Sequence, residues 1–201
     1  AALIALLKTI AIQSEGIEHS RQELARSASA LQQQSESLKK QNFEQSFFRQ
    51  LSLHHSIVDS LTSTDSKGPV SGRRCFTVQK GKLQSLYSKR VFSNKANLEN
   101  NEESLRIVLG QYFESADYMF DHYFTNLNGV LEFIETEAIE DNSKYFSLLQ
   151  AQISSIEFGF LAYYRFLEHD DQFSKKIKTY FAFRPRNSSF VHPEHSEWVA
   201  W

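Results

Sequence analysis

The chain has 201 residues, of which 41% are hydrophobic and 23% charged, and its formal net charge is −2. This balance is that of a globular protein long enough to bury one substantial core. The single cysteine, Cys75, excludes an internal disulfide framework and suits a reducing compartment. Because prolines and glycines are few and β-branched runs are mostly missing, the composition predicts long helices.

The first thirteen residues form an apolar segment, Ala1 to Gln13. A run of this length cannot cross a bilayer, which takes about 20 residues. Two interpretations stay open. The run is either the inner end of a membrane helix that begins upstream of Ala1, or an amphipathic segment buried in the protein.

Residues 14–42 are predicted to form a helical stalk, because they contain no proline and are rich in Gln, Ser, Glu, Lys and Ala. Leu24, Ala28, Leu31, Ser35 and Leu38 alternate in steps of four and three, which is the seam of a coiled coil. Two of these five positions are small or polar, so the seam predicts weak pairing or a stalk.

The same predicted helix continues with an apolar face that is expected to be buried. This face is the start of the predicted main domain, residues 43–183. It is expected to pack on an aromatic helical hairpin further along the chain. The face consists of Phe43, Phe47, Phe48, Leu51, His54, Ile57, Val58 and Leu61.

The next stretch is predicted to be irregular, with a polar exit over 62–67 and a loop over 68–74 that is rich in glycine and arginine. Residues 76–92 are then expected to form one or two short helices with their basic residues outward.

The hairpin itself runs from Leu105 to Leu167, with Asp141-Asn142-Ser143 as the predicted break between its arms. Apolar residues recur at steps of three and four in both arms, which is helical spacing. The first arm carries Leu105, Val108, Leu109, Tyr112, Phe113, Ala116, Met119, Phe120, Tyr123, Phe124, Leu127, Val130, Leu131 and Ile134. The second carries Tyr145, Leu149, Gln152, Ile153, Ile156, Phe160, Tyr163 and Leu167.

Together these patterns predict an all-α fold. A long N-terminal helix, partly a coiled-coil-like stalk, packs on the antiparallel aromatic hairpin, with short helices between them. Residues 184–201 are predicted to be an irregular C-terminal tail.

Charge is strongly segregated along the chain. Residues 66–98 contain eight basic side chains and no acid, whereas residues 99–141 contain eleven acids and one arginine, Arg106. The basic stretch is the predicted binding surface, for nucleic acid, for anionic lipid or for the acidic stretch of its own or a neighbouring chain. The residues assigned to it are Arg73, Arg74, Lys80, Lys82, Lys89 and Arg90.

Four phrases, in order and spacing, resemble the phage abortive infection proteins of the AbiC type over residues 20–170. The resemblance implies a bacterial anti-phage protein, with membrane helices ahead of a helical cytosolic domain, whose activation harms the infected host. It supplies no catalytic residue. The phrases are Phe43 to Phe48 with Leu51, His54, Ile57 and Val58; Gly72 to Phe76; Tyr123 to Leu127 with Phe133 and Ile134; and Lys144 to Ser154 with Glu157, Tyr163 and Tyr164.

A catalytic alternative rests on Arg49 and His54, which have the spacing of the arginine and histidine of HEPN ribonucleases. In that chemistry the histidine is the base and the arginine stabilises the charge on phosphorus. Arg186 and His192 share the spacing, and about one such pair is expected by chance. His54 also lies on the apolar face, where a hydrogen-bonded core histidine is the commoner finding.

No metal site or cofactor is predicted, since His192, Glu194 and His195 lack the further ligands that zinc requires. The family resemblance, the apolar start and the separated charges lead to the preferred hypothesis, a non-enzymatic effector of phage defence at the cytoplasmic face of the inner membrane, released from a partner on infection to harm the cell. The alternatives are a HEPN-like ribonuclease and a module that binds a defence ribonucleoprotein, with a cytoplasmic location and a homo-oligomer left open.

Overall fold

The computed structural model describes residues 2–93, 101–137, 142–168, 171–181 and 190–199. The chain divides into two compact units, Ala1–Ser46 (unit 1) and Phe47–Trp201 (unit 2). The first helix, α1, spans Ala2–Ser60, so its first part belongs to unit 1 and its last turns to unit 2.

Unit 1 is helical throughout its described residues and has no proline to interrupt it. The helix predicted over 14–42 lies within α1. Its leucines and isoleucines, from Leu3 to Leu38, are each about half exposed or more.

Unit 2 is a helical body with one small antiparallel sheet, which confirms the predicted all-α class. After the end of α1 its elements are β1 (Thr62–Asp65), β2 (Gly68–Ser71), α2 (Arg74–Ser93), α3 (Asn101–Thr136), α4 (Ser143–Gln152), α5 (Ser155–Leu167), α6 (Gln172–Tyr180) and α7 (His195–Trp198).

The stretch predicted to be a polar exit and loop is instead a β-hairpin, so that expectation was wrong. Thr62 pairs with Ser71 and Asp65 with Gly68 around a two-residue turn. Gly72, with φ of 65°, then reverses the chain in a conformation that favours glycine. The Cys75 thiol donates to the Leu61 carbonyl oxygen at 3.3 Å and anchors the start of α2.

The predicted core face of α3 is confirmed almost residue for residue. Phe113 is half-buried and the other members are buried, from Leu105 to Ile134. Phe47, Leu51 and Val58 of α1 and Leu61 just after it are also buried, and the ring of Phe47 meets Tyr145 edge to face at 5.2 Å. The last turns of α1 therefore contribute to the core of unit 2.

The second arm is two helices rather than one. The first helix ends at Gln152, and Ser154 caps the second: its Oγ accepts from the Glu157 N–H at 3.3 Å, and Glu157 Oε2 accepts from the Ser154 N–H at 2.9 Å. This reciprocal capping box starts a new helix at Ser155. Of the predicted break between the arms, Asp141 lies outside the described residues, while Asn142 Nδ2 donates to the Ile134 carbonyl at 2.6 Å.

The described part of the tail, residues 190–199, packs on unit 2. Phe190, Val191 and Val199 are buried, and the short helix α7 lies between Val191 and Val199. The expected irregular tail is therefore partly helical, and its residues 184–189, 200 and 201 lie outside the described residues.

Candidate functional site

The two members of the suggested ribonuclease pair face different surroundings. His54 is fully buried, whereas Arg49, five residues earlier on α1, is exposed. Across the described residues, no hydrogen bond or ion pair joins them. The second pair of that spacing is incomplete, because Arg186 lies outside the described residues.

His54 is held as a neutral core residue. Its Nδ1 donates to Asn126 Oδ1 at 3.0 Å, because a carboxamide oxygen only accepts, and its ring lies 5.2 Å from that of Tyr123. Burial lowers the pKa of His54 to about 4, against the opposing effect of the Asn126 hydrogen bond. Nε2 is left buried with no hydrogen-bond partner.

A buried carboxylate, Glu157, acts on Tyr123, whose ring lies beside that of His54. Glu157 Oε1 is 3.3 Å from Arg73 Nε, and Arg73 also donates to the Gln152 carbonyl oxygen. Burial raises the pKa of Glu157, while its Ser154 hydrogen bond and the Arg73 charge oppose the increase. Arg73 thus links the turn before α2 to the junction of α4 and α5.

The polar groups of this buried cluster, His54, Arg73, Tyr123, Asn126 and Glu157, act on one another electrostatically. The pKa of Tyr123 is raised well above its usual value by burial and by the Glu157 charge, and its hydroxyl makes no hydrogen bond. Arg73 is half exposed and Asn126 is partly exposed, whereas His54, Tyr123 and Glu157 are buried. A general base must contact its substrate, and the buried His54 cannot. The cluster therefore suits a structural role, in which buried polar contacts fix one arrangement of the core.

The six basic residues assigned to a binding surface have different environments. Arg74 pairs with Asp65 at 3.4 Å, and Lys82 donates to Ser63 Oγ at 3.3 Å, so both contact the β-hairpin. Lys80 is half-buried, and burial lowers its pKa. Arg90 is half-buried and Lys89 is exposed; Lys95, in the same basic stretch of the sequence, lies outside the described residues.

Part of the predicted basic surface forms one face along the outer side of α2. Lys82, Leu86 and Lys89 are all exposed and follow one another at steps of four and three, so they share one face of the helix. The helix contains no acidic residue. This face combines positive charge with one exposed leucine.

Sequence reasoning missed a pocket between α3, α5 and α6 with a volume of about 310 Å³. Its walls hold five aromatic rings, two aspartates and no basic residue. The amide of Asn128, also in the lining, has a buried oxygen without a hydrogen-bond partner. The lining consists of Phe113, Phe120, Asp121, Phe124, Thr125, Asn128, Tyr164, Asp171, Gln172 and Phe173.

The chemistry of this pocket favours a cationic group, since aromatic faces and carboxylates both attract positive charge. Asp171 already accepts from the Phe173 N–H at 3.0 Å, as the cap of α6. The pKa of Tyr164 is raised to about 12, by burial first and then by the Asp171 and Glu168 charges. No sequence signal points to the pocket, because its residues come from three helices and read individually as core or capping residues.

The described residues contain no group of three or more His, Cys, Asp or Glu side chains arranged to hold a metal ion. His195, one of the tail histidines, is buried and its Nδ1 lies 2.7 Å from the Tyr163 hydroxyl, which also accepts from the Val191 N–H. His192 is exposed, 3.8 Å from Glu194. These side chains fasten the tail to α5.

Hydropathy along the helices gives one further result. Within the described ranges, none of the helices combines the length and the apolar character that a membrane crossing needs.

Comparison with known proteins identifies one family. Residues 115–184 match the family model described as "Putative phage abortive infection protein", which confirms the resemblance over that segment. The match covers most of α3 together with α4, α5 and α6, and it includes every lining residue of the pocket except Phe113. No curated protein and no solved structure matches the chain.

Proposed function

We propose that this protein is an effector of phage abortive infection that works by binding rather than by catalysis. The observation that carries the proposal is the family match over residues 115–184. That segment supplies the aromatic face of α3 and the helices that pack on it, so the matched residues are the core of unit 2 itself.

The environment of His54 supports the choice of binding over ribonuclease chemistry. Its side chain is closed off from solvent, hydrogen-bonded to Asn126 and kept neutral, while Arg49 is exposed. An RNA phosphate could not reach His54 without opening the core.

Arg49→Ala tests this choice cleanly, because an exposed side chain is removed and the fold is preserved. Bacteria expressing the full chain are challenged with a panel of phages, and plaque formation, infected-cell survival and RNA integrity are followed. We expect Arg49→Ala to protect as the parent does, with intact RNA. Arg26→Ala, which is exposed in unit 1, is the matched control. RNA cleavage that Arg49→Ala alone abolishes would establish the ribonuclease instead.

The finer part of the proposal places the effector at the cytoplasmic face of the inner membrane. It is supported by the exposed leucines and isoleucines near the start of α1, which suit attachment to a lipid interface. Fractionation of infected cells and a potential-sensitive dye test it. We expect the protein in the membrane fraction and loss of potential before any RNA decay. Cell death with a full membrane potential would contradict this location and mode of harm.

The second part of the proposal is that a partner protein restrains the effector before infection. This partner binds the outer face of α2. Lys82, Leu86 and Lys89 suit an anionic partner such as a defence ribonucleoprotein, because they join charge to one apolar contact. The double variant Lys82→Glu/Lys89→Glu should lose co-purifying partner and become toxic without phage.

Lys175→Glu/Lys178→Glu is the matched control, since both lysines are exposed on α6 and the charge change is the same. We expect this control to keep both partner and restraint. If the two double variants behave alike, the face of α2 has no specific role.

A further inference from the structure

Six large apolar residues of unit 1, the heptad row, lie at a strict seven-residue spacing. The members of this heptad row are each between 49% and 71% exposed. Residues 13–42 contain no other Leu, Ile, Val, Met or aromatic residue than the row's own members. The row consists of Leu3, Ile10, Ile17, Leu24, Leu31 and Leu38.

A repeat of seven is the period of helices that pair. An α-helix has 3.6 residues per turn, so a seven-residue row drifts by about 20° per repeat on a straight helix. Two helices that wind around each other in a left-handed supercoil keep such a row between them. A row of six members at this spacing therefore indicates a partner helix along residues 3–38.

We infer that unit 1 forms a two-stranded coiled coil with unit 1 of a second copy of this chain. The row covers residues 3–38, about 54 Å of helix at 1.5 Å per residue. Because the spacing is even, each of the six row members can pack against a row member of the second copy. Every one of these six contacts, or layers, is between leucine or isoleucine side chains. No charged residue belongs to the row, so pairing with itself buries no like charges there.

The width of the row argues against a bilayer as its main partner beyond the first turns. A helix that lies in a lipid interface presents a broad apolar face. From Ile17 onward the row is one residue wide, and its neighbours on that side of the helix are residues such as Arg21, Ala28 and Ser35. A narrow seam is what a second helix covers.

The same neighbours set the strength of the pair. Between the large layers lie Ser14, Arg21, Ala28 and Ser35, which bury little apolar surface, and Arg21 would bring two like charges together beside the seam. The coiled coil is therefore a reversible, concentration-dependent dimer rather than a permanent one.

Four isoleucines of α1 provide a matched test. Ile10 and Ile17 belong to the row and are 54% and 57% exposed, whereas Ile4 and Ile12 lie off it and are 62% and 69% exposed. The variants Ile10→Asn/Ile17→Asn and Ile4→Asn/Ile12→Asn make the same chemical change at equal cost in helix propensity.

Sedimentation equilibrium of the full chain measures the dissociation constant of each variant. We expect the parent to dimerise, the row variant to bind at least about 100-fold more weakly, and the off-row variant to stay within about threefold of the parent. An unchanged thermal unfolding transition of unit 2 shows that each variant is folded. A parent that remains monomeric at every concentration, or equal weakening by both variants, would overturn the inference.

Discussion

The two units of this chain use apolar residues in opposite ways. Unit 2 gathers its aromatic rings into one core: Phe160 alone lies 5.0 Å from the ring of Phe120, 6.0 Å from Phe76 and 6.2 Å from Tyr112. Unit 1 spreads its leucines and isoleucines along a helix and leaves them exposed, with side-chain contacts such as the bond from Gln32 to Glu36 at 3.1 Å.

This difference shows that helices of one chain can be stabilised in two ways, by packing within their own unit or by packing against a partner. Helices in water draw most of their stability from packing an apolar face, and short-range pairs add a few tenths of a kcal/mol each. Unit 2 packs its faces within the unit, whereas the heptad row of unit 1 is complete only when a partner covers it.

The largest expected effect comes from opening the core of unit 2. Phe160→Ala should lower the free energy of unfolding by about 3–5 kcal/mol, through lost burial and the cavity left behind. Urea denaturation followed by near-ultraviolet circular dichroism measures it. Phe92→Ala, on an exposed ring of α2, should change it by less than about 0.5 kcal/mol. Similar losses in both variants would show that the aromatic core is not the main support of unit 2.

The second effect is a loss of stability in acid that is confined to unit 2. His54 and His195 are buried with pKa values lowered to about 4, so they stay neutral in the fold and gain a proton on unfolding. Stability is then full above pH 6.5 and falls as the pH drops from 6.5 toward 4, by about 2–3 kcal/mol per histidine.

The urea midpoint of His54→Gln should therefore fall less between pH 7 and about pH 4.5 than that of the parent. His19→Gln, on an exposed histidine of unit 1, should follow the parent. An acid response unaffected by His54→Gln would mean that this histidine is already protonated in the folded protein.

A third effect separates two adjacent arginines. Arg73→Gln leaves Glu157 buried without its cation and should cost about 1–2 kcal/mol, less than for a fully buried pair because Arg73 is half exposed. Arg74→Gln breaks only a surface pair with Asp65 and should cost less than about 0.5 kcal/mol.

The pH dependence of this pair has a definite sign. Burial raises the pKa of Glu157, and removal of Arg73 raises it further, so acid protonates the orphaned carboxyl and removes the penalty. The difference between Arg73→Gln and the parent should shrink as the pH falls. A difference that grows in acid would contradict the assignment of the cost to the Glu157 charge.

The smallest effect concerns two glycines and should have opposite signs. Gly72→Ala introduces a side chain at φ of 65° and should destabilise unit 2 by about 1 kcal/mol. Gly81→Ala, inside α2 with nothing within 4 Å of the added carbon, should stabilise it by about 0.5–1 kcal/mol. Thermal unfolding of both variants checks the pair, and a stabilising Gly72→Ala would show that the turn relaxes.

The sequence was a good guide where the signal was a long period. The face of α3 repeats over about eight turns, so its buried residues from Leu105 to Ile134 could be named in advance. The seven-residue spacing was noted over residues 24–38 of the sequence, but its continuation back to Leu3 was not.

Local signals were harder to weigh. The capping box of Ser154 and Glu157 is present in the sequence, yet a continuous apolar pattern around it favoured one helix. The β-hairpin has strands of four residues that are mostly polar, which resemble a loop. The contact of Arg73 with Glu157 joins residues far apart in the chain, so only the packed fold brings them together.

Amide hydrogen exchange of the full chain at a series of protein concentrations tests the contrast between the units most directly. We expect protection in residues 3–38 to rise with concentration, because a second copy must cover the heptad row, while protection in α3 and α5 stays constant. Protection of unit 1 that does not depend on concentration would contradict the account.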